Sequence, residues 1–80
     1  MSKPFYQIVS RVMNIPESQI NDDSSPQTIE SWDSFNGYVL LTELESEFNI
    51  SFSIDEVLEI KTIKDIKNYL QKHGVDVDTN

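Results

Sequence analysis

Ser34 to Ile50, SFNGYVLLTELESEFNI, is the stretch that decides the fold. Leu40, Leu41, Leu44 and Phe48 recur at helical spacing and make one apolar stripe on an otherwise polar segment. Ser34 opens the periodic run, and both it and Asp33 are residue types that commonly cap a helix start. Gly37 weakens the helix by ~1 kcal/mol relative to alanine. Asn49 can end it in the left-handed conformation. The spacing predicts a helix from Ser34 to about Phe48 whose stripe must bury against other elements.

Working outward, Phe5, Ile8, Val9, Val12 and Met13 form a second helical face, with Pro4 suited to a first turn. This predicts a helix over about residues 3–14. Residues 15–31 read as a long loop, punctuated by Pro16, Asn21-Asp22-Asp23, Ser24-Ser25-Pro26 and Ser31. Ile15, Ile20 and Ile29 are its candidate anchors on the core. A loop of ~17 residues is unusual in a compact domain and points to function.

Downstream, Ser53-Ile54-Asp55-Glu56 matches a capping box and predicts a short third helix carrying Ile54, Val57 and Leu58. Thr62 caps a fourth helix with Ile63, Ile66, Tyr69 and Leu70 inward. Lys61, Lys64, Lys67 and Lys72 are expected on its solvated face. Lys72 and His73 fall in its last turn, where cations are favoured, and Gly74 closes it. Residues 75–80 read as a frayed acidic tail. The expected fold is all-α, a four-helix bundle with three longer helices, a short third helix and a long first loop. It forms one domain over residues 1–80, with a core of about 3–74.

Composition narrows the function. Six basic residues face fourteen acidic ones, a net charge of -8. Lys3 and Arg11 are the only charges in residues 1–14, so the rest carries four lysines against fourteen acids, a net of -10. Such a surface repels nucleic acid and anionic lipid and attracts basic protein patches. No apolar run approaches the ~20 residues of a membrane span, and no signal-type stretch follows Met1, so the expected location is the cytoplasm. The sequon Asn49-Ile50-Ser51 carries no meaning outside a secretory context. There is no cysteine, hence no disulfide and no thiolate zinc site. Asp22-Asp23 and Asp76-Val77-Asp78 read as solvated acidic segments, and no metal site is expected. Ser34 has no nucleophile-elbow glycines, and His73 is the sole histidine, so the chain is not expected to be an enzyme.

Asp33-Ser34 is first of all a helix cap. The same helix start also offers free N–H groups and a positive dipole end, which favour a phosphate on Ser34. Asp33-Ser34-Phe35 resembles the Asp-Ser-Leu signature of acyl and peptidyl carrier proteins. The resemblance continues through Leu44-Glu45-Ser46-Glu47-Phe48-Asn49-Ile50, similar to that family's Leu-Glu-Glu-Glu-Phe-Gly-Ile. It runs on through Ile60-Lys61-Thr62-Ile63-Lys64-Asp65 to Tyr69-Leu70, nearly the whole chain.

The resemblance implies a carrier rather than a catalyst. Ser34 would receive 4'-phosphopantetheine from coenzyme A through a phosphopantetheinyl transferase that recognises Asp33. The thiol of that arm would hold acyl or related cargo as thioesters, which gives a cysteine-free chain its sulfur chemistry. Matched residue by residue, Phe35, Tyr38, Val39, Thr42 and Glu47 would form the partner-binding face. The partners would be acyl-loading, synthase or transferase enzymes with basic docking patches. A monomer that neither binds nucleic acid nor inserts in membranes is expected. Asn36 and Val39 stand where acids are usual in fatty acid synthesis, Ser46 interrupts an acidic triplet, Phe35 replaces leucine, and Trp32 replaces a small residue. These departures imply a dedicated carrier for a specialised pathway, and the short tails of the chain are expected of a discrete carrier. Fatty acid, polyketide, aminoacyl, peptidyl and D-alanyl cargo remain open, as does an unmodified interaction module of the same fold.

Overall fold

The computed structural model describes residues 4–75. Four α-helices follow in order: α1 (Pro4–Met13), α2 (Ser34–Phe48), α3 (Ile54–Glu59) and α4 (Ile63–Lys72). A single 3-10 turn, Glu17–Gln19, interrupts the long first loop. There is no strand among the described residues, and no described helix is long and apolar enough to cross a membrane.

Each helix starts and stops where local chemistry dictates. Asp33 caps α2, its side chain accepting from the Asn36 N–H, and Asn49 ends the helix at φ 56°. Ser53 and Glu56 form a reciprocal capping box on α3, and Thr62 and Asp65 form another on α4. Asn14 ends α1 at φ 57°, and Ser31 donates to the Met13 carbonyl at 2.6 Å, tying the loop's end to that terminus.

The core is the sum of the predicted stripes. Phe5, Ile8, Val9 and Met13 of α1, Leu40, Leu41 and Leu44 of α2, and Ile63, Ile66 and Leu70 of α4 are buried. Val12 and Phe48 pack at its margin. The loop contributes Ile20, Ile29 and Trp32, with Ile15 half-buried, so its apolar anchors hold it against the bundle as expected. Every fully buried side-chain nitrogen or oxygen among the described residues has a hydrogen-bond partner.

Several expectations are corrected. Lys67 does not lie on the solvated face of α4; it is 5% exposed. The first loop folds over it and brings Asp22 Oδ1 to 2.7 Å, and the Tyr6 hydroxyl of α1 lies 3.0 Å from its ammonium, so the buried charge is paired. Lys61, Lys64 and Lys72 are exposed as expected. Tyr69 is only half-buried; its hydroxyl donates to Glu59, which pushes its pKa up to about 12. Val75 packs against the core rather than fraying, and residues 76–80 of the expected tail lie outside the described residues.

The third helix forms where its capping box places it, and the structure adds which way it faces. Ile54, Val57 and Leu58 face outward, and Glu56 is its buried residue. In a helix of six residues a stripe of three apolar positions can face either way, and here polar contacts decide. Glu56 holds His73 at 3.1 Å and accepts the Ser53 N–H at 2.9 Å, while Glu59 takes the Tyr69 hydroxyl. The Ser53 N–H, the His73 hydrogen bond and the nearby charges of His73 and Lys72 together hold the Glu56 carboxyl below its usual 4.5, against the opposing effect of burial. A carboxylate with a lowered folded pKa contributes its stability above the unfolded value and loses it as pH falls through the folded one. The Tm difference between the parent and Glu56→Gln should therefore be full above about pH 4.5 and shrink below it. A difference independent of pH would remove this contact from the account.

Candidate functional site

Ser34 is the first helical residue of α2 and is exposed, and no hydrogen bond occupies its hydroxyl among the described residues. Asp33 immediately before it accepts the Asn36 N–H at 2.8 Å through its side chain and the Gly37 N–H at 2.8 Å through its carbonyl. The Asn36 amide reaches back to the Ser31 carbonyl at 2.7 Å, so the turn that presents Ser34 is fixed from both sides. Asp33 is thus a cap in its own right. Replacing it with alanine should lower stability by about 1 kcal/mol. The accompanying loss of hydrogen-exchange protection should concentrate at Asn36 and Gly37; uniform loss along α2 would contradict a local cap.

Beside Ser34 opens a groove of about 670 Å³ between the start of α2, the outward apolar face of α3 and the end of the first loop. Ser34, Asp33 and Tyr38 lie at its α2 side, Val57, Leu58 and Ile60 at its α3 side, and Trp32, Leu40, Leu41 and Ile66 also line it. The size is ordinary for a small-molecule site. Tyr38 and Leu58 of this lining are 71–72% exposed, and Phe35 and Ile54 on the same two helices are exposed too, an apolar surface on a chain of net charge -8. A second cavity of about 460 Å³ lies under the first loop and shares no residue with this groove.

Of the predicted partner face, Phe35, Tyr38, Val39 and Thr42 follow one stripe of α2, with Val39 half-buried and the Thr42 hydroxyl donating to the Tyr38 carbonyl at 2.9 Å. Glu47 is exposed but lies on the flank of that stripe. Sequence reasoning missed the α3 wall formed by Val57 and Leu58 with Ile60 just beyond them. Six residues carry too little periodicity to say which face of the helix is buried, and the polar partners of Glu56 and Glu59 reveal the outward orientation. Gly37 makes room, but for the Trp32 ring, whose Nε1 would lie 3.0 Å from a Cβ at that position.

The residues fit a covalent phosphopantetheine. An exposed, unengaged hydroxyl at the positive end of a fifteen-residue helix accommodates a phosphodiester, and an apolar groove opens beside it for what the arm bears. Comparison with known proteins gives the same answer. Residues 4–70 match the family described as the phosphopantetheine attachment site. The chain is 29% identical over 73 residues to an acyl carrier protein of Porphyromonas gingivalis, covering 91% of this chain and 94% of the relative. It is 34% identical over 67 residues to an acyl carrier protein homolog of Mycoplasma genitalium, covering 79% and 76%. Its fold superposes on a solved Mycobacterium tuberculosis chain assigned to the acyl carrier proteins, with a TM-score of 0.76 at 25% identity, over 86% of this chain and 92% of that one. Proteins of this kind carry a covalent 4'-phosphopantetheine and are carriers, not enzymes. From its capped second helix to its matched length, the chain belongs to the acyl carrier protein family.

Proposed function

We propose that Ser34 is the residue that bears the phosphopantetheine, and that the chain delivers thioester-bound acyl intermediates to the enzymes of a specialised biosynthetic pathway. The observation that carries this reading is the free, exposed Ser34 hydroxyl at the α2 N-terminus beside an apolar groove. Asp33 would serve the transferase through whichever of its carboxylate lone pairs the Asn36 N–H leaves open. Phe35, Tyr38, Val39 and Thr42 would form the docking stripe, and Glu47 an acidic flank steering basic partners towards it. The specialised pathway is supported by Trp32, Phe35, Asn36, Val39 and Ser46, which add bulk or remove charge around Ser34.

Site mapping tests the attachment point. After transfer from a fluorescent coenzyme A, the label should map to Ser34 among the chain's serines by peptide sequencing. A label on another serine would contradict the assignment. Pathway is tested separately: housekeeping fatty-acid synthase enzymes should elongate cargo on this carrier poorly, and efficient elongation would remove the argument from the five departures.

A further inference from the structure

Trp32 is the only tryptophan in the chain and is 7% exposed, yet its indole N–H has no hydrogen-bond partner among the described residues. That N–H is not sealed away, since no fully buried side-chain nitrogen lacks a partner. The small part of the ring left open therefore includes its donor. A nearly buried donor among mostly apolar walls is poorly hydrated and gains from any acceptor brought to it.

The location says where an acceptor would come from. Trp32, Gly37 and Ser34 line the same groove. The Nε1 atom stands over Gly37, where a Cβ would sit at 3.0 Å, tighter than nine in ten real Cβ contacts, so the ring would have to give. Gly37 weakens α2 by ~1 kcal/mol relative to alanine, and what it leaves clear is the nitrogen edge of the indole. The groove's other walls, Leu40, Leu41, Val57, Leu58, Ile60 and Ile66, offer hydrocarbon only. The Ser34 hydroxyl is consumed on attachment, and Tyr38 is 71% exposed. Trp32 is thus the buried side-chain donor that this groove presents.

Resting on the reading of Ser34 as the attachment point, we infer that Trp32 is a specificity-determining residue that donates its indole hydrogen to a carbonyl oxygen entering the groove from Ser34. That carbonyl belongs either to an amide of the phosphopantetheine arm or to the acyl cargo. Gly37 is the positioning residue that keeps the donor accessible. When the cargo supplies the carbonyl, the groove prefers oxygenated groups over plain hydrocarbon at that depth, because a saturated chain would leave the N–H unpaired.

The single tryptophan makes the test direct, since the chain has one indole N–H resonance. The full chain is prepared in four forms checked by mass: unmodified, with the bare arm, with a hexanoyl thioester and with a 3-oxohexanoyl thioester. A downfield shift of the indole proton together with exchange slowed roughly three- to tenfold, the effect of one ordinary hydrogen bond, is expected on loading. Appearance with the bare arm assigns the acceptor to the arm's amides, and appearance only in the loaded forms assigns it to the cargo. A strengthening from hexanoyl to 3-oxohexanoyl places the contact at the oxo group. An indole resonance and exchange rate unchanged in all three mass-verified modified forms would overturn the inference while leaving the attachment intact. A chain that never takes up the arm would remove both readings.

Discussion

Phe5→Ala should lower the stability of the folded chain by about 3–5 kcal/mol, the usual result of emptying a fully buried aromatic site. Phe5 is 0% exposed, lies one turn before Ile8 and Val9 on the α1 stripe, and stacks edge-on with Tyr6 at 5.2 Å between centroids. Eighty residues without a disulfide have roughly 4–12 kcal/mol in total at typical per-residue stability, so this one truncation removes a large share. A thermal melt followed by circular dichroism should show Tm falling by roughly 12 °C or more. A fall of only a few degrees would mean that the α1 stripe is not the centre of the core.

The second large effect is expected at Lys67. Its ammonium is enclosed by α4, Tyr6 of α1 and Asp22 of the first loop, with Asp22 45 residues away in sequence. The same loop segment caps α4 through backbone bonds: the Ile63 N–H donates to the Ser24 carbonyl at 2.9 Å and the Lys64 N–H to the Asp22 carbonyl at 3.0 Å. Lys67→Ala removes both the charge-assisted hydrogen bonds and the packing of a buried alkyl stem. Because Asp22 is half exposed and can rehydrate, the loss should sit at the low end for charged hydrogen bonds, about 1–2 kcal/mol. Lys67→Met, which restores the stem without the charge, should recover part of it. Hydrogen exchange should quicken at Ser24, Ile63 and Lys64 in both variants. Unchanged exchange at these three amides would show that the loop is held by Ile20 and Ile29 alone.

These two residues also mark how far the sequence could be read. Phe5 was legible because its neighbours repeat at helical spacing, a signal contained within ten residues. The same holds for the helix ends: Asn49, Ser53 with Glu56, and Thr62 act on backbone groups three or four residues away, and each takes the predicted role. Lys67 was not legible, because a lysine on an amphipathic helix belongs in solvent unless a partner is brought from elsewhere, and Asp22 arrives only through the path of the loop. The inward reading of Tyr69 fails for the same reason, and the outward orientation of Ile54, Val57 and Leu58 is likewise set by contacts between α3 and α4.

The site divides in the same way. Asp33-Ser34 at the start of α2 could be read from capping chemistry and from resemblance. The groove could not, since one wall is a face of α3 whose orientation a helix of six residues does not reveal. Trp32 was visible as an added bulk near Ser34 and Gly37 as a weak point in the helix. That the one fills the other is a fact of the fold.

Intact-protein mass spectrometry tests the central claim most directly. The parent and Ser34→Ala, both shown to be folded, are incubated with coenzyme A, magnesium and more than one broad-specificity phosphopantetheinyl transferase. The account predicts a gain of one phosphopantetheine by the parent and none by the variant. A folded parent that gains nothing, or a variant that gains as much as the parent, would contradict it, and the apolar rim of α2 and α3 would then be read as the docking face of an unmodified module.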